Sequence, residues 1–360
     1  MRRINYLLLT SLMMVASCSQ DRITGLQQDT AIEFRVVMDR QTKATGYTPA
    51  NLEGFNVTAW KEETDRNTGA PYIDQEEFAR TADGTYKSAA NHFWPSGSLD
   101  FYAYAPAATA GNGLTRISEL GYTVSPLADT DDQIDFLFAK NSGNKVANAM
   151  SGVTLNFRHV MSQIRVVVKN TDPNLRFVVT GWKIAKVDGL ATFSFDNSLD
   201  TNGGNTNTVS RDLWTGNDGS DATYVKQSES RTVTDNNSTW GELSGSAILI
   251  PQITDMATAY SGNTLNGSYI AVELQVFNTS DGEELISRQW CCWPVRYDWA
   301  PGYRYNYTID LAECGYKETG SGELDPVLDL VEVKFVDVTV DNWQPDGGAD
   351  IDLPLNDNNN

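Results

Sequence analysis

Histidine is nearly absent from this 360-residue chain, which has only His92 and His159. Its four cysteines, Cys18, Cys291, Cys292 and Cys314, follow no metal-ligand spacing, so the ligand set of a structural zinc site is missing. A Ser-His-Asp triad would have to recruit one of the two histidines, and no Gly-x-Ser-x-Gly elbow presents a nucleophile. Glycine loops of the phosphate-cradling kind are lacking too. Basic residues are few: 27 Lys and Arg stand against 47 Asp and Glu, for a formal charge of -20. A surface of that sign repels nucleic acid phosphates and anionic lipid headgroups, so neither is expected as a partner. Beyond the first fifteen residues no apolar run is long enough to span a bilayer as a helix.

What is present begins with MRRINYLLLTSLMMVASC: Arg2 and Arg3, an apolar run from Tyr6 to Val15, then small residues and Cys18. The pattern reads as an export signal over 1–17, and Val-Ala-Ser-Cys has the form of a bacterial lipobox in which Cys18 becomes the lipidated first residue. Several acyl chains on one cysteine anchor stably where one would be marginal. Residues 18–30 are polar and aperiodic, a flexible linker. In AIEFRVVMDR, residues 31–40, Ile32, Phe34, Val36 and Met38 alternate with mostly polar positions, the period of a half-buried strand. The strand runs into Arg40, where a protease that cuts after arginine would separate it from all that follows. Arg35 and Arg22 are poorer sites, because a cut at Arg35 divides the strand and a cut at Arg22 leaves it attached.

Short β patterns follow at 54–60, 99–106, 133–140, 153–160, 162–170, 177–187, 246–252, 269–277, 303–311 and 330–340, separated by turn clusters of Gly, Asn, Asp, Ser and Pro. No helical stripe lasts three turns, so the class is all-β, built of stacked antiparallel sheets. The weakly patterned stretch 141–152 divides an N-terminal domain, 31–150, from a C-terminal domain, 151–345, with a tail at 346–360. Residues 198–245, rich in Asn, Gly, Ser and Thr with Trp214, Tyr224 and Trp240 scattered among them, read as a long decorated loop.

His159 lies amid apolar alternation, where a hydrogen-bonded structural role is expected. The acidic clusters at 129–135 and 216–221 lack the calcium-loop pattern and read as solvated turns. Neighbouring Cys291 and Cys292 point to opposite faces of a strand, so at most one reaches Cys314, and no disulfide framework follows. The aromatic run from Trp290 to Tyr307 fits either a sandwich core or, if exposed, a platform on which sugar rings stack.

Several loose motifs in order carry a family likeness: the lipobox cysteine, a strand and Thr-Lys-Ala-Thr (42–45), FNVTAW (55–60), HFWP (92–95) with DFYAYAP (100–106), FRHVMSQIRVVV (157–168), ILIPQ (248–252) and VTVDNW (338–343). Together they resemble the fimbrillins, lipoprotein pilins of the Bacteroidetes type V pili, including the Mfa-like group. The resemblance implies two transthyretin-like β-sandwich domains in tandem, no enzymatic activity and no cofactor. It also implies export to the outer membrane as a precursor lipidated at Cys18, and cleavage after Arg40 by an arginine-specific surface protease. Loss of the strand 31–40 would then leave a groove that a strand from another pilin subunit fills, in a fibre that serves adhesion. The alternative is a surface glycan-binding lipoprotein.

The physics of polymerisation stands apart from the likeness, because removing a strand exposes an apolar groove between unpaired edges, a template for any segment of matching alternation. If that segment comes from another copy without ring closure, a filament results. The tail offers a candidate donor in ADIDLPLN, with Ala349, Ile351, Leu353 and Leu355 on one face. Seven residues extend about 23 Å against about 30 Å for nine, so this donor is expected to underfill the groove, and Pro354 removes a ladder hydrogen bond. The same pattern fits a self-packed or disordered tail.

Overall fold

The computed structural model describes residues 30–38, 51–62, 64, 69–109, 111–118, 120–194, 210–216, 219, 221–226, 231–233, 237–243, 245–327 and 337–342. In chain order its first strands are β1 (Glu33–Met38), β2 (Gly54–Lys61), β3 (Ile73–Arg80), β4 (Tyr86–Ser88), β5 (Ser98–Ala105), β6 (Leu114–Ser118), β7 (Gly121–Val124), β8 (Leu137–Asn144) and β9 (Val153–His159). A short helical turn, Lys145–Asn148, joins β8 to β9. Seven of these strands hydrogen-bond around a closed path, β1-β4-β3-β2-β5-β8-β9.

Alternation explains the inside of this barrel: Phe55, Val57 and Ala59 of β2, Leu99, Phe101, Ala103 and Ala105 of β5, and Val153, Leu155 and Phe157 of β9 share one core. Strand β5 reads almost continuously apolar because its other face is covered as well. Outward-facing Tyr102 and Tyr104 join Tyr122, Phe136, Phe193 and Trp214 in a second core. That cover is a four-stranded sheet in the order β13-β12-β7-β6, whose strands β12 (Ala191–Ser194) and β13 (Trp214–Thr215) are reached after β10 (Ser162–Asn170) and β11 (Leu175–Val187).

The remaining strands are β14 (Ala222–Lys226), β15 (Arg231–Val233), β16 (Asn237–Glu242), β17 (Ala247–Leu249), β18 (Tyr260–Ser261), β19 (Thr264–Leu265), β20 (Tyr269–Asn278), β21 (Glu284–Pro294), β22 (Tyr303–Asp310), β23 (Tyr316–Lys317) and β24 (Asp337–Asn342). Two sheets, β16-β10-β22-β24 with β17 and β14-β11-β20-β21-β23 with β15, enclose the largest core between them. The all-β class therefore holds.

Three expectations need correction. The sheets are not purely antiparallel: β1 runs parallel to β9, and β10 runs parallel to β22. Periodicity sets which face a side chain takes and carries no information on the direction of the neighbouring strand. The division near residue 150 falls too early, since β9 pairs with β1 and β8 and so completes the first barrel. The stretch 198–245 is not simply loop. It contributes β13 to β16, with Trp214 and Tyr224 buried. Strands of two to six residues, pairing at sheet edges, are too short to show a period against an Asn- and Gly-rich background.

The first strand and its slot as a candidate assembly site

Strand β1 occupies the seam of the barrel. It pairs antiparallel with β4 at Glu33↔Lys87 and Phe34↔Tyr86, and parallel with β9 from Phe34↔Val153 to Met38↔Phe157. Of the four residues read as core-facing, Ile32 and Phe34 are fully buried, while Val36 and Met38 are half-buried against the same core. Pairing with β4 stops at Phe34, so beyond it β9 is the one partner among the described residues and the barrel wall no longer covers both sides. Arg35 and Val37 face outward and are exposed.

Phe34 is the hub. Its ring meets Phe78 at 4.7 Å between centroids and 83°, Phe101 at 5.1 Å and 86°, and Phe55 at 5.9 Å and 71°. Edge-on contacts of this kind let the positive rim of one ring meet the negative face of another. Sequence reasoning found the strand and missed this pocket, because its walls come from β2, β3 and β5. The HFWP motif was the available signal. Ile32 N–H donates to the His92 carbonyl at 2.7 Å, Ala31 bridges Phe93, and Trp94 N–H donates to the Thr30 carbonyl at 3.3 Å.

Two further contacts seat the strand. The Lys87 ammonium lies 2.9 Å from the Glu33 carboxylate, which raises the lysine pKa chiefly through their hydrogen bond. The pair is solvent-exposed and contributes little to stability. Gly152, just before β9, adopts φ +70, and a Cβ there would stand 3.1 Å from the Glu33 carbonyl oxygen. The turn can therefore approach β1 only as glycine.

Among the processing candidates, Arg35 sits within β1 opposite Thr154. Cys18, Arg22, Arg40 and the tail residues Ala349, Ile351, Leu353 and Leu355 lie outside the described residues.

The other chemistry-bearing groups serve packing. His159 Nδ1 lies 2.6 Å from Asp135 Oδ2 and both side chains are buried, while His92 Nε2 is 3.7 Å from Glu76. In the acidic clusters, Asp131 pairs with Lys226 and Asp221 with Lys186. No group of three or more His, Cys, Asp or Glu able to hold a metal ion occurs among the described residues. Cys291 and Cys314 share the sandwich core, Cys292 lies on the other face of β21, and all three are free thiols. Burial pushes the Cys314 thiol up to about 12 and raises Cys291 and Cys292 well above the usual thiol range.

Most of the aromatic run is inside as well, with Trp290 and Tyr303 half-buried. Trp293, Tyr297, Trp299, Tyr305 and Tyr307 are buried, Tyr297 stacks on Trp299, and Trp299 donates its indole N–H to the Tyr307 hydroxyl. These buried rings have no face to offer a saccharide, which leaves only the half-buried Trp290 and Tyr303 to the glycan-platform alternative.

No curated protein matches the chain. Among solved structures it is similar to a provisionally assigned cell adhesion protein from Bacteroides ovatus, with 18% identity, 83% of this chain and 99% of that one covered, and a TM-score of 0.47. Similar assignments attach to structures from Bacteroides uniformis, with 16% identity, 88% and 99% coverage and a TM-score of 0.40, and from Parabacteroides distasonis, with 12% identity, 87% and 99% coverage and a TM-score of 0.44. A family model described as fimbrillin-like matches residues 42–343, nearly everything after the first strand. The chain belongs to the fimbrillin-like family.

Proposed function

We propose that this protein is a structural subunit of an adhesive surface fibre and performs no reaction of its own. In this reading it is exported as a precursor lipidated at Cys18 and held at the outer membrane. An arginine-specific surface protease cuts after Arg40, the strand 31–40 leaves, and a strand from another pilin subunit takes its place.

The observation that carries the reading is the position of β1 in the ladder. Removing it leaves β4-β3-β2-β5-β8-β9 hydrogen-bonded without a break, and opens one seam between β4 and β9. The slot so exposed is lined by Phe55, Phe78, Phe101, Val153 and Leu155. A seam with two free edges over an aromatic floor accepts an extended apolar segment by strand addition.

The slot also changes the arithmetic of the donor. The ladder occupies Glu33–Met38, six residues and about 20 Å, so the seven residues 349–355 at about 23 Å suffice to fill it. Ala349, Ile351, Leu353 and Leu355 repeat the two-residue spacing of Ile32, Phe34, Val36 and Met38. Pro354 is tolerated where its missing N–H would face the open edge beyond Phe34.

Purified protein lacking residues 1–40, incubated beside the intact precursor, tests the reading. Ladders resistant to mild detergent are expected from the shortened form alone. Monomers from both forms would overturn it.

A further inference from the structure

Four large apolar side chains stand exposed around one pole of the first barrel: Val146 and Met150, each 99% exposed, Phe93 at 42% and Tyr72 at 37%. The topology gathers them. At this pole β1 begins beside Val153, β8 ends at Asn144 opposite Ser98, and β2 ends at Lys61 opposite Leu99. Tyr72 donates its hydroxyl to the Phe93 carbonyl at 2.7 Å, and the Lys61 ammonium lies 5.8 Å from the centre of the Tyr72 ring.

The tip that carries Val146 and Met150 is built to hold them out. Asn144 Oδ1 accepts from Ala147 N–H at 3.0 Å, Asn148 Oδ1 accepts from Asn144 N–H at 3.0 Å, and Asn148 Nδ2 donates to the Gly152 carbonyl at 3.1 Å. Val146 lies in the helical turn and Met150 two residues beyond its end, both on the same short connection between β8 and β9. An amphipathic tyrosine, a phenylalanine, a thioether and Lys61 at the rim make the composition of a lipid interface rather than of a barrel cap.

We infer that this pole is the face with which the anchored precursor rests on a bilayer, its apolar side chains at headgroup depth. The inference rests on the reading of Cys18 as the lipid anchor. Thr30 enters the barrel at this same pole, through its hydrogen bond with Trp94. Only eleven residues lie between it and Cys18, and a random-coil chain of that length has a root-mean-square span of about 20 Å. Strand β9 leads away from the pole and delivers the chain to the second half at its other end. The acidic balance of the chain selects a neutral lipid surface over an anionic one.

The test uses the full-length acylated protein in phosphatidylcholine vesicles that carry a headgroup-depth nitroxide lipid. A fluorophore is placed through Val146→Cys or, as a control on the second half, through Leu285→Cys at a position 45% exposed; the native core thiols are too buried to react. Quenching at least threefold greater at position 146 than at 285 is expected, with loss of that difference in a Met150→Asp, Phe93→Asp background. Equal weak quenching at both positions in vesicle-bound, acylated protein would overturn the lipid face and leave the anchor standing. A label at 146 that responds to protein concentration and not to nitroxide would assign the pole to self-association and overturn it likewise. Intact mass showing an unmodified Cys18 would overturn the anchor reading, and this inference with it.

Discussion

Phe34→Ala separates the precursor from the fibre more sharply than any other substitution. The ring is fully buried and meets Phe78, Phe101 and Phe55 at 4.7, 5.1 and 5.9 Å. Truncating such a side chain forfeits its transfer free energy and leaves a cavity that closes only in part, a loss of about 3 to 5 kcal/mol. At about 1.4 kcal/mol per decade, a loss of about 4 kcal/mol raises the population with β1 out of its slot roughly a thousandfold. Urea unfolding of the intact precursor reads the first quantity. The rate of cleavage after Arg40 reads the second, provided that opening and closing outpace cutting. In the proposed assembly the substituted residue departs with the strand, so fibres assembled from the variant should match wild-type fibres in resistance to denaturant. Val37→Ala, at an exposed position on the same strand, should shift the precursor by no more than about 0.5 kcal/mol. A precursor that loses less than about 1 kcal/mol with Phe34→Ala would refute the placement of the ring as the hub. Fibres weakened in proportion to the precursor would refute departure of the strand.

Three more outcomes follow from the same coordinates. Gly152→Val places a branched side chain at φ +70 against the Glu33 carbonyl, so it should destabilise the precursor by about 1 to 3 kcal/mol and speed release of β1, as seen by urea midpoint and cleavage rate. Asp135→Ala removes the 2.6 Å partner of His159 in a buried setting, at a cost of about 1 to 3 kcal/mol; Asp135→Asn should recover most of it in thermal unfolding, where 1 kcal/mol corresponds to about 2 to 4 °C. The Cys314 thiol is raised to about 12, and Cys291 and Cys292 are also raised well above the usual range by burial, so all three stay protonated at pH 8 and a colorimetric thiol reagent should detect them only after denaturation. Reaction of any of the three in the native protein at pH 8 would contradict their burial.

The HFWP motif shows how far the sequence could be read. Its residues were visible as a family mark, yet their work, bracketing the start of β1 through the His92 carbonyl and the Trp94 N–H, depends on two segments sixty residues apart meeting at one pole. The aromatic run from Trp290 to Tyr307 was open to two readings, core or platform, because alternation says which residues share a face and not whether another sheet covers it. Here the facing strands β10 and β11 cover it.

By itself the sequence determined that the chain would form short strands, that Ile32, Phe34, Val36 and Met38 would share one face, and that its two histidines and four cysteines lack the spacing of a structural zinc site. These follow from side-chain chemistry and from a period of two, both local properties. Only the tertiary structure decided that β1 lies parallel to β9, that its central phenylalanine sits among three others, that β9 belongs to the first barrel, and that four apolar side chains crowd the pole where the chain enters. Each of those depends on which distant strands become neighbours, and hydrophobic burial rewards that choice without writing it into any one segment.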